Sequence, residues 1–408
     1  MDCDVIVVGA GPAGSTAARE IAQRGASVLL LDRARFPRDK PCGGGVTIRT
    51  AELLPFSLDP VIEGTIDTAH LRLGDGEDVT RRHSRPMTYM TQRSRLDHYL
   101  VERAQEAGVD FRDGCPVKQV VRRSDGSYEV LHRDGSTHRS RVMIGADGAN
   151  GVVRLNLGYE SPLEAAVALE GNIPFPGGIP ERYRGAVALN FGVVPGGYGW
   201  VFPKEDHLNV GVGGWKEQVG STLRERLDEL CRRYGFEPSA VTQLRGHHLP
   251  LVRPGALTAA GGSAVIGDAA GLVDPLSGEG IHGAVASGVA IAPVVEDYLG
   301  GRVDSLRGYH HVVARELFPN IEASRALMEI FHAAPGPFVW LLQHSNRFWA
   351  PAGELVRGEI DYTHVVTRLG PLVTAALGPT ARLARLRTGR DPLLPARLRR
   401  SAGGSRLR

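Results

Sequence analysis

Six residues near the start of the chain, Gly9-Ala10-Gly11-Pro12-Ala13-Gly14, restrict its fold more than any other feature. A G-x-G-x-x-G has mechanical meaning when it sits between a buried strand and a helix. The first glycine permits the turn, the second lets a pyrophosphate approach the main chain, and the third lets the helix pack on the strand. The flanks supply that setting. Val5 to Val8 is a short apolar run suited to a buried parallel strand, Ser15 to Arg24 has helical periodicity closed by Gly25, and Ser27 to Leu31 reads as a second buried strand. Unpaired N–H groups at the helix start, around Pro12 and Ala13, then face the phosphates. Asp32 ends the second strand 18 positions after Gly14, where a carboxylate can bond a ribose hydroxyl, and Arg33 follows it. The alternative is a glycine-rich turn without a ligand. The fingerprint predicts a dinucleotide site and by itself leaves FAD and NAD unseparated.

Two further motifs each follow a buried strand. Arg141 to Asp147 leads into Gly145-Ala146-Asp147-Gly148-Ala149-Asn150-Gly151-Val152-Val153-Arg154, and Ala264 to Asp268 leads through Ala269-Ala270-Gly271 to Pro275-Leu276-Ser277-Gly278-Glu279-Gly280-Ile281. Between these parallel-sheet pieces, Ile66 to Met90 and Ala165 to Gly214 alternate like antiparallel strands. Arg95 to Gly108 reads as a helix, Val109 to Val121 as strand, Ser221 to Tyr234 as an amphipathic helix and Gly280 to Tyr298 as an apolar one, and from Asp304 the pattern is helical. No repeat of 20 to 50 residues interrupts this order.

With three motifs in this order, the sequence resembles the flavoproteins built like p-hydroxybenzoate hydroxylase. The resemblance implies FAD, an α/β fold with a Rossmann-type FAD-binding domain, an inserted antiparallel substrate sheet and a helical C-terminal region. The expected divisions are 1–62, 91–162 and 255–302 for the FAD-binding domain, 63–90 and 163–254 for the substrate domain, 303–380 for the helical region and 381–408 for a basic tail. It also implies that Asp147 supports the FAD site from a second layer and that Asp268 lies by the ribityl chain and pyrophosphate. The helix beginning at Gly280 and Ile281 would aim its positive end at the isoalloxazine, favouring anionic reduced flavin. Arg93, in Gln92-Arg93-Ser94-Arg95-Leu96-Asp97, matches an arginine that reaches the cofactor near its phosphates; otherwise it is a surface arginine at a helix start. Val117 is placed with the same cofactor-binding set. Gly151 stands where a serine is common and Asp32 where glutamate is more usual, and little consequence is expected of either.

Two stretches narrow the resemblance to the geranylgeranyl reductase family. Phe36-Pro37-Arg38-Asp39-Lys40-Pro41-Cys42-Gly43-Gly44-Gly45 looks like that family's KPCGG loop, which puts Cys42, Gly43 and Gly45 at the flavin's reactive face. Gly197-Tyr198-Gly199-Trp200-Val201-Phe202-Pro203-Lys204 and Leu208-Asn209-Val210-Gly211 resemble its YxWxFP and NVG elements, and Arg357 to Tyr362 is a weaker echo of RG-x-x-x-Y. On a strand Tyr198, Trp200 and Phe202 share one face. They form either an uncharged wall for an isoprenoid chain or ordinary sheet-core aromatics. Cys42 either takes part in the chemistry, with Tyr198 and Trp200 as the other catalytic candidates, or packs as a loop thiol. No acid or base is assigned, and His247, His248 and His282 read equally well as structural.

The implied activity is reduction of C=C bonds in a geranylgeranyl or prenyl chain carried by a diphosphate, lipid or quinone, with electrons from NADPH or a ferredoxin-type donor. The rival readings are a flavin monooxygenase or halogenase of the same architecture, and a flavin-bearing binding protein. Halogenases tend to carry WxWxIP, and Tyr198 and Phe202 stand at the differing places. Four cysteines (Cys3, Cys42, Cys115, Cys231) are widely spaced, show no metal-ligand pairing and suit a reducing cytoplasm. The first strand starts at about Asp4, leaving no room for a signal peptide, and no run of about 18 apolar residues predicts a spanning helix. The net charge of +3 hides nine arginines against one acid, Asp391, from Arg382 onward. Such a tail either attracts anionic lipid headgroups or stays solvated. The expected partners are therefore a prenyl substrate and a peripheral membrane surface, without nucleic acid.

Overall fold

The computed structural model describes residues 1–159, 164–252 and 255–368; the basic tail lies outside them. The apolar run at the N-terminus forms the strand Cys3–Val8 in the middle of a parallel sheet. It pairs in parallel with Val28–Leu31 on one side and Thr137–Gly145 on the other, and Asp110–Arg112 and Ser263–Val265 extend the sheet outward. Val5, Ile6 and Val7 are fully buried because both faces of this strand are covered. Val5, Val7, Leu30 and Ile144 face the helices Pro12–Ala22 and Ile281–Leu299, whereas Ile6, Val8, Leu29 and Met143 face the meander Val117–Arg122, Tyr128–His132.

Where Val109 to Val121 was expected to be one strand, there are two. Gly114, at φ +61°, breaks them, and the turn is held by Cys115 N–H donating to the Asp32 carbonyl at 2.8 Å. Val117 opens the second strand, close beside the end of the Asp32 strand. The helix around Arg93 also begins two residues earlier than its periodicity suggests, at Arg93 itself.

A second sheet of seven strands runs in the order Thr242–Leu251, Glu164–Pro174, His207–Trp215, Gly197–Pro203, Ala186–Phe191, Thr68–Leu73, Val79–Arg82. It is antiparallel except where Ala186–Phe191 lies parallel to Thr68–Leu73. One face packs on the helix Leu223–Arg233 through Leu227, Leu230 and Cys231. The stretch from Ile66 to Met90 divides between sheets: Thr88–Met90 and Gly64–Ile66 join Gly45–Thr47 in a small third sheet. The C-terminal helices Phe318–Ala333, Pro335–His344 and Asn346–Arg357 close over the far edge of the seven-stranded sheet. Gln343 donates to the Leu71 carbonyl at 2.9 Å and the Trp349 indole to that of Arg82 at 3.0 Å. Among the described residues, no helix is long and apolar enough to cross a membrane.

Leu30 is fully buried in the central sheet. Leu30→Ala should therefore cost about 2–5 kcal/mol, seen as a lower urea midpoint; an unchanged midpoint would show that the strand is not a stability-determining part of this core.

Candidate active site

The glycine loop is shaped by three different contacts. A Cβ on Gly9 (φ +103°) would lie 2.3 Å from the Ala146 carbonyl oxygen, and one on Gly14 would lie 1.8 Å from that of Gly9. Those two glycines are demanded by the protein itself. A Cβ on Gly11 would meet only the guanidinium groups of Arg38 and Arg93, at 3.6 and 3.9 Å. It would fill open space between two cations at a helix N-terminus that Pro12 and Ala13 begin. Such a cradle suits an anionic pyrophosphate. Asp32 closes one end, its two carboxylate oxygens accepting the N–H groups of Ala10 and Ala34 at 2.8 Å each. Arg33 is exposed beside it and its charge reaches Asp147.

Arg93 is turned inward, 5% exposed, and bonds Asp97 through two nitrogens at 2.8 Å each. Burial works against its charge, Asp97 outweighs burial, and the guanidinium is held protonated. Arg38 pairs with the same carboxylate, its Nη1 2.8 Å from Asp97 Oδ2. Asp268 pairs with Lys40 at 3.2 Å; burial opposes its ionisation, but the Lys40 ammonium prevails and its carboxyl is lowered. His247 points into the same group. Burial, reinforced by Lys40, lowers it to about 4, and its buried Nε2 has no hydrogen-bond partner among the described residues. Asp147 accepts the Val153 N–H at 3.1 Å, and burial pushes it up to about 6. Gly151 matters more than expected, since a Cβ there would stand 2.0 Å from Asp147 Oδ1.

The long helix starts with Gly280 and Ile281 beside this cluster, and a Cβ on Gly280 would lie 3.1 Å from Asp268 Oδ1. Just before it, Glu279 accepts Thr47 at 2.7 Å and Arg49 at 2.6 Å. Tyr362, from the weak C-terminal echo, is buried and donates to Asp274 at 3.2 Å. Burial and then Arg49 lower His282 to about 3, which keeps it neutral.

Tyr198, Trp200 and Phe202 do share one face, their rings tilted against one another with centroids 5.9 and 6.1 Å apart. Trp200 is buried and Phe202 packs against a hydrophobic cluster of Ile66, Leu71 and Met90 on this face, so the row is in part sheet core. Phe191 continues the row past Tyr198 at 6.2 Å, and Phe331 of the C-terminal helices follows at 5.3 Å. Trp200 lies flat because its neighbour is glycine: a Cβ on Gly211 would sit 2.1 Å from the indole. The Pro41-to-Gly45 loop rests on this wall, with no room for a Cβ at Gly43, 2.7 Å from the Phe202 ring. Cys42 Sγ accepts the Gly44 N–H at 3.4 Å and lies within electrostatic reach of Tyr198, Arg93 and Lys204. Gly45 begins the small third sheet. Burial raises the Tyr198 phenol, which donates to the Ser277 carbonyl.

Sequence reasoning missed Arg38, Lys40, Asp97, His247, Glu170 and Lys204. Glu170 was detectable as the one acid in the run AAVALEGNIP, a charge that a buried strand must satisfy. Burial pushes it up to about 7, and burial lowers Lys204 to about 8.

The cradle over Gly11, flanked by Arg38, Arg93 and Asp32, fits an FAD, and residues 2–176 match the family model described as "FAD binding domain". The chain is 34% identical over 319 residues to the menaquinone reductase of Mycolicibacterium smegmatis, covering 74% of this chain and 78% of that one. It is 31% identical over 359 residues to digeranylgeranylglycerophospholipid reductase 1 of Methanopyrus kandleri, covering 81% and 91%. Among solved structures, a geranylgeranyl bacteriochlorophyll reductase-like protein of Thermoplasma acidophilum superposes with a TM-score of 0.75 at 21% identity, over 91% of this chain and 99% of that one. Flavin-dependent halogenases share the fold at 15–20% identity.

Asp268→Ala should weaken FAD binding by about tenfold or more, read as apoprotein on gel filtration, while Cys42→Ala stays yellow; a fully yellow Asp268→Ala would remove that carboxylate from the site. Glu170 makes a pH prediction. It keeps its proton in the fold up to about pH 7 but loses it near the ordinary 4.5 when unfolded. The fold binds the extra proton across that window, so raising the pH there lowers stability. Glu170→Gln should remove this contribution, at most about 1.4 kcal/mol per pH unit; parallel urea curves for both proteins would place the carboxyl in solvent.

Proposed function

This chain belongs to the geranylgeranyl reductase family of FAD-dependent oxidoreductases, and we propose that it saturates isolated C=C bonds in a prenyl chain carried by a diphosphate, a lipid or a quinone. The observation that carries this reading is the uncharged aromatic row Phe202, Trp200, Tyr198, Phe191, Phe331, which leads away from the glycine-rich loop at Cys42. Reduced FAD, when bound, supplies hydride from N5.

The chain's own residues do the rest. Arg38 and Arg93 would neutralise the pyrophosphate, Asp32 would hold the ribose, and Asp268 with Lys40 would lie by the ribityl chain and pyrophosphate. The ladder excludes water and lays the apolar chain flat, which an alkene needs because it offers no charge for the site to grip. The Tyr198 hydroxyl, spent on the Ser277 carbonyl, presents its ring rather than a polar tip to that chain. Cys42 stands at the loop's turn, where it positions the reacting carbons or passes a proton to the one not receiving hydride. The electrons come from NADPH or a ferredoxin-type donor.

Anaerobic incubation of the chemically reduced protein with geranylgeranyl diphosphate and with a polar-lipid extract tests the reading by mass spectrometry. Products should be heavier by about two mass units per reduced bond, with the flavin returning to yellow. A gain of about sixteen units on admitting oxygen would instead make the protein a monooxygenase.

A further inference from the structure

The loop at Cys42 is held from beneath by two buried, ionisable side chains. The Cys42 N–H donates to Glu170 Oε1 at 2.5 Å. One residue on, the Gly43 carbonyl accepts from Lys204 Nζ at 2.7 Å, and the same ammonium bonds the Thr91 carbonyl at 2.8 Å. Glu170 is 8% exposed and Lys204 4%. Successive residues are thus gripped by opposite chemistries, a carboxyl accepting and an ammonium donating. Gly44 makes this possible: at φ +67° its Cβ would stand 2.6 Å from Lys204 Nζ and 2.0 Å from the Thr91 oxygen.

The grip is continuous with the aromatic wall. The Trp200 indole N–H donates to Asn209 Oδ1 at 2.8 Å, and the Asn209 amide, which donates to Asn172 Oδ1 at 3.1 Å, favours the charged form of Glu170. We propose that Glu170 and Lys204 form a two-point clamp that positions Cys42 against the aromatic wall, with Glu170 the member whose ionisation tightens or loosens the loop. This rests on the alkene-reduction reading only for its catalytic consequence. The groups facing Glu170 are Lys204 and Cys42, with Asp39 and, across the strand ladder, Arg245, which pairs with Asp39 at 2.6 Å. Lys204 also faces Glu63. An ionised carboxylate accepts the Cys42 N–H more strongly than a neutral one does, so the loop is tighter above the midpoint of Glu170, about 7.

Hydrogen exchange of the FAD-loaded protein, read by mass spectrometry on a peptide covering residues 38–47, tests the clamp without substrate. Within this peptide only Pro41 lacks an N–H, so overlapping fragments ending at Pro41 and at Cys42 are compared to isolate the Cys42 amide. Wild-type protection, corrected for intrinsic exchange, should rise as the pH passes about 7. Glu170→Gln, which keeps an acceptor of the same shape, should leave that protection independent of pH. Glu170→Ala should lower it about tenfold, the weight of one ordinary hydrogen bond, with the FAD dissociation constant nearly unchanged. The pH profile of flavin reoxidation by geranylgeranyl diphosphate should lose its limb near 7 in Glu170→Gln. A Glu170→Gln profile that follows wild type in exchange overturns the clamp, whatever substrate the enzyme takes. If Glu170→Ala does not fold, the Gln variant carries the test. A pH-independent Gln variant together with a wild type that shows no alkene turnover would uphold the clamp and overturn the assigned reaction instead.

Discussion

A Cβ on Gly14 would stand 1.8 Å from the Gly9 carbonyl oxygen, and this closeness sets the direction of the first helix relative to the central strand. Because the helix starts there, its free N–H groups open on the space before Gly11 instead of on solvent. The same turn brings Ala10 N–H onto Asp32, so the end of the second strand is tied to the loop. Gly9 in turn abuts Ala146, which leads to Asp147, and Gly267 packs its own turn against Ala13. The three motifs, about 130 residues apart, therefore meet through glycines that leave no gap between them. Everything downstream, from the position of Asp268 to the start of the helix at Ile281, is fixed by how tightly these turns nest.

Around that nest the protein accumulates buried charge. Desolvating an ion is costly unless a partner compensates, and here the compensation is local in each case: Arg93 and Arg38 share Asp97, Lys40 takes Asp268, and Lys204 bonds two carbonyl oxygens and the Met90 sulfur. The Lys204 arrangement is the least comfortable, which is why burial lowers its ammonium to about 8, and Glu170 is displaced the opposite way for the same reason. Groups that titrate close to neutrality cluster at sites that use them. Both lie under the loop that touches the aromatic wall.

What was legible in the sequence was what short spacing determines. The glycine loop, Asp32 and the shared face of Tyr198, Trp200 and Phe202 each follow from a turn or from strand alternation within a few residues, whereas Asp147 and Asp268 were reached only through the family resemblance. Arg38, Glu170, Lys204 and His247 were not legible as a set, because their meeting depends on the register of strands far apart in the chain. Glu170 is opposite Gly211 on one side and Arg245 on the other. The parallel pairing of Ala186–Phe191 with Thr68–Leu73 was hidden likewise, since alternation is the same in parallel and antiparallel neighbours. Gly151 was read as an inconsequential departure, whereas it leaves the space that the Asp147 carboxylate occupies.

The aromatic wall shows how a local pattern acquires meaning from distant parts of the chain. At its Phe202 end the row is sheet core, packed against Ile66, Leu71 and Met90. Glycines in the neighbouring strand let Trp200 lie over them, and the row extends through Phe191 to Phe331 and then Phe338, 6.0 Å further on. Those last rings belong to helices that the seven-stranded sheet anchors through Leu71 and Arg82. The wall thus begins at the glycine-rich loop and ends in the C-terminal helices. A short polar substrate would use only its first rings. On the proposed reading, a row of this length suits a chain with many equivalent apolar units.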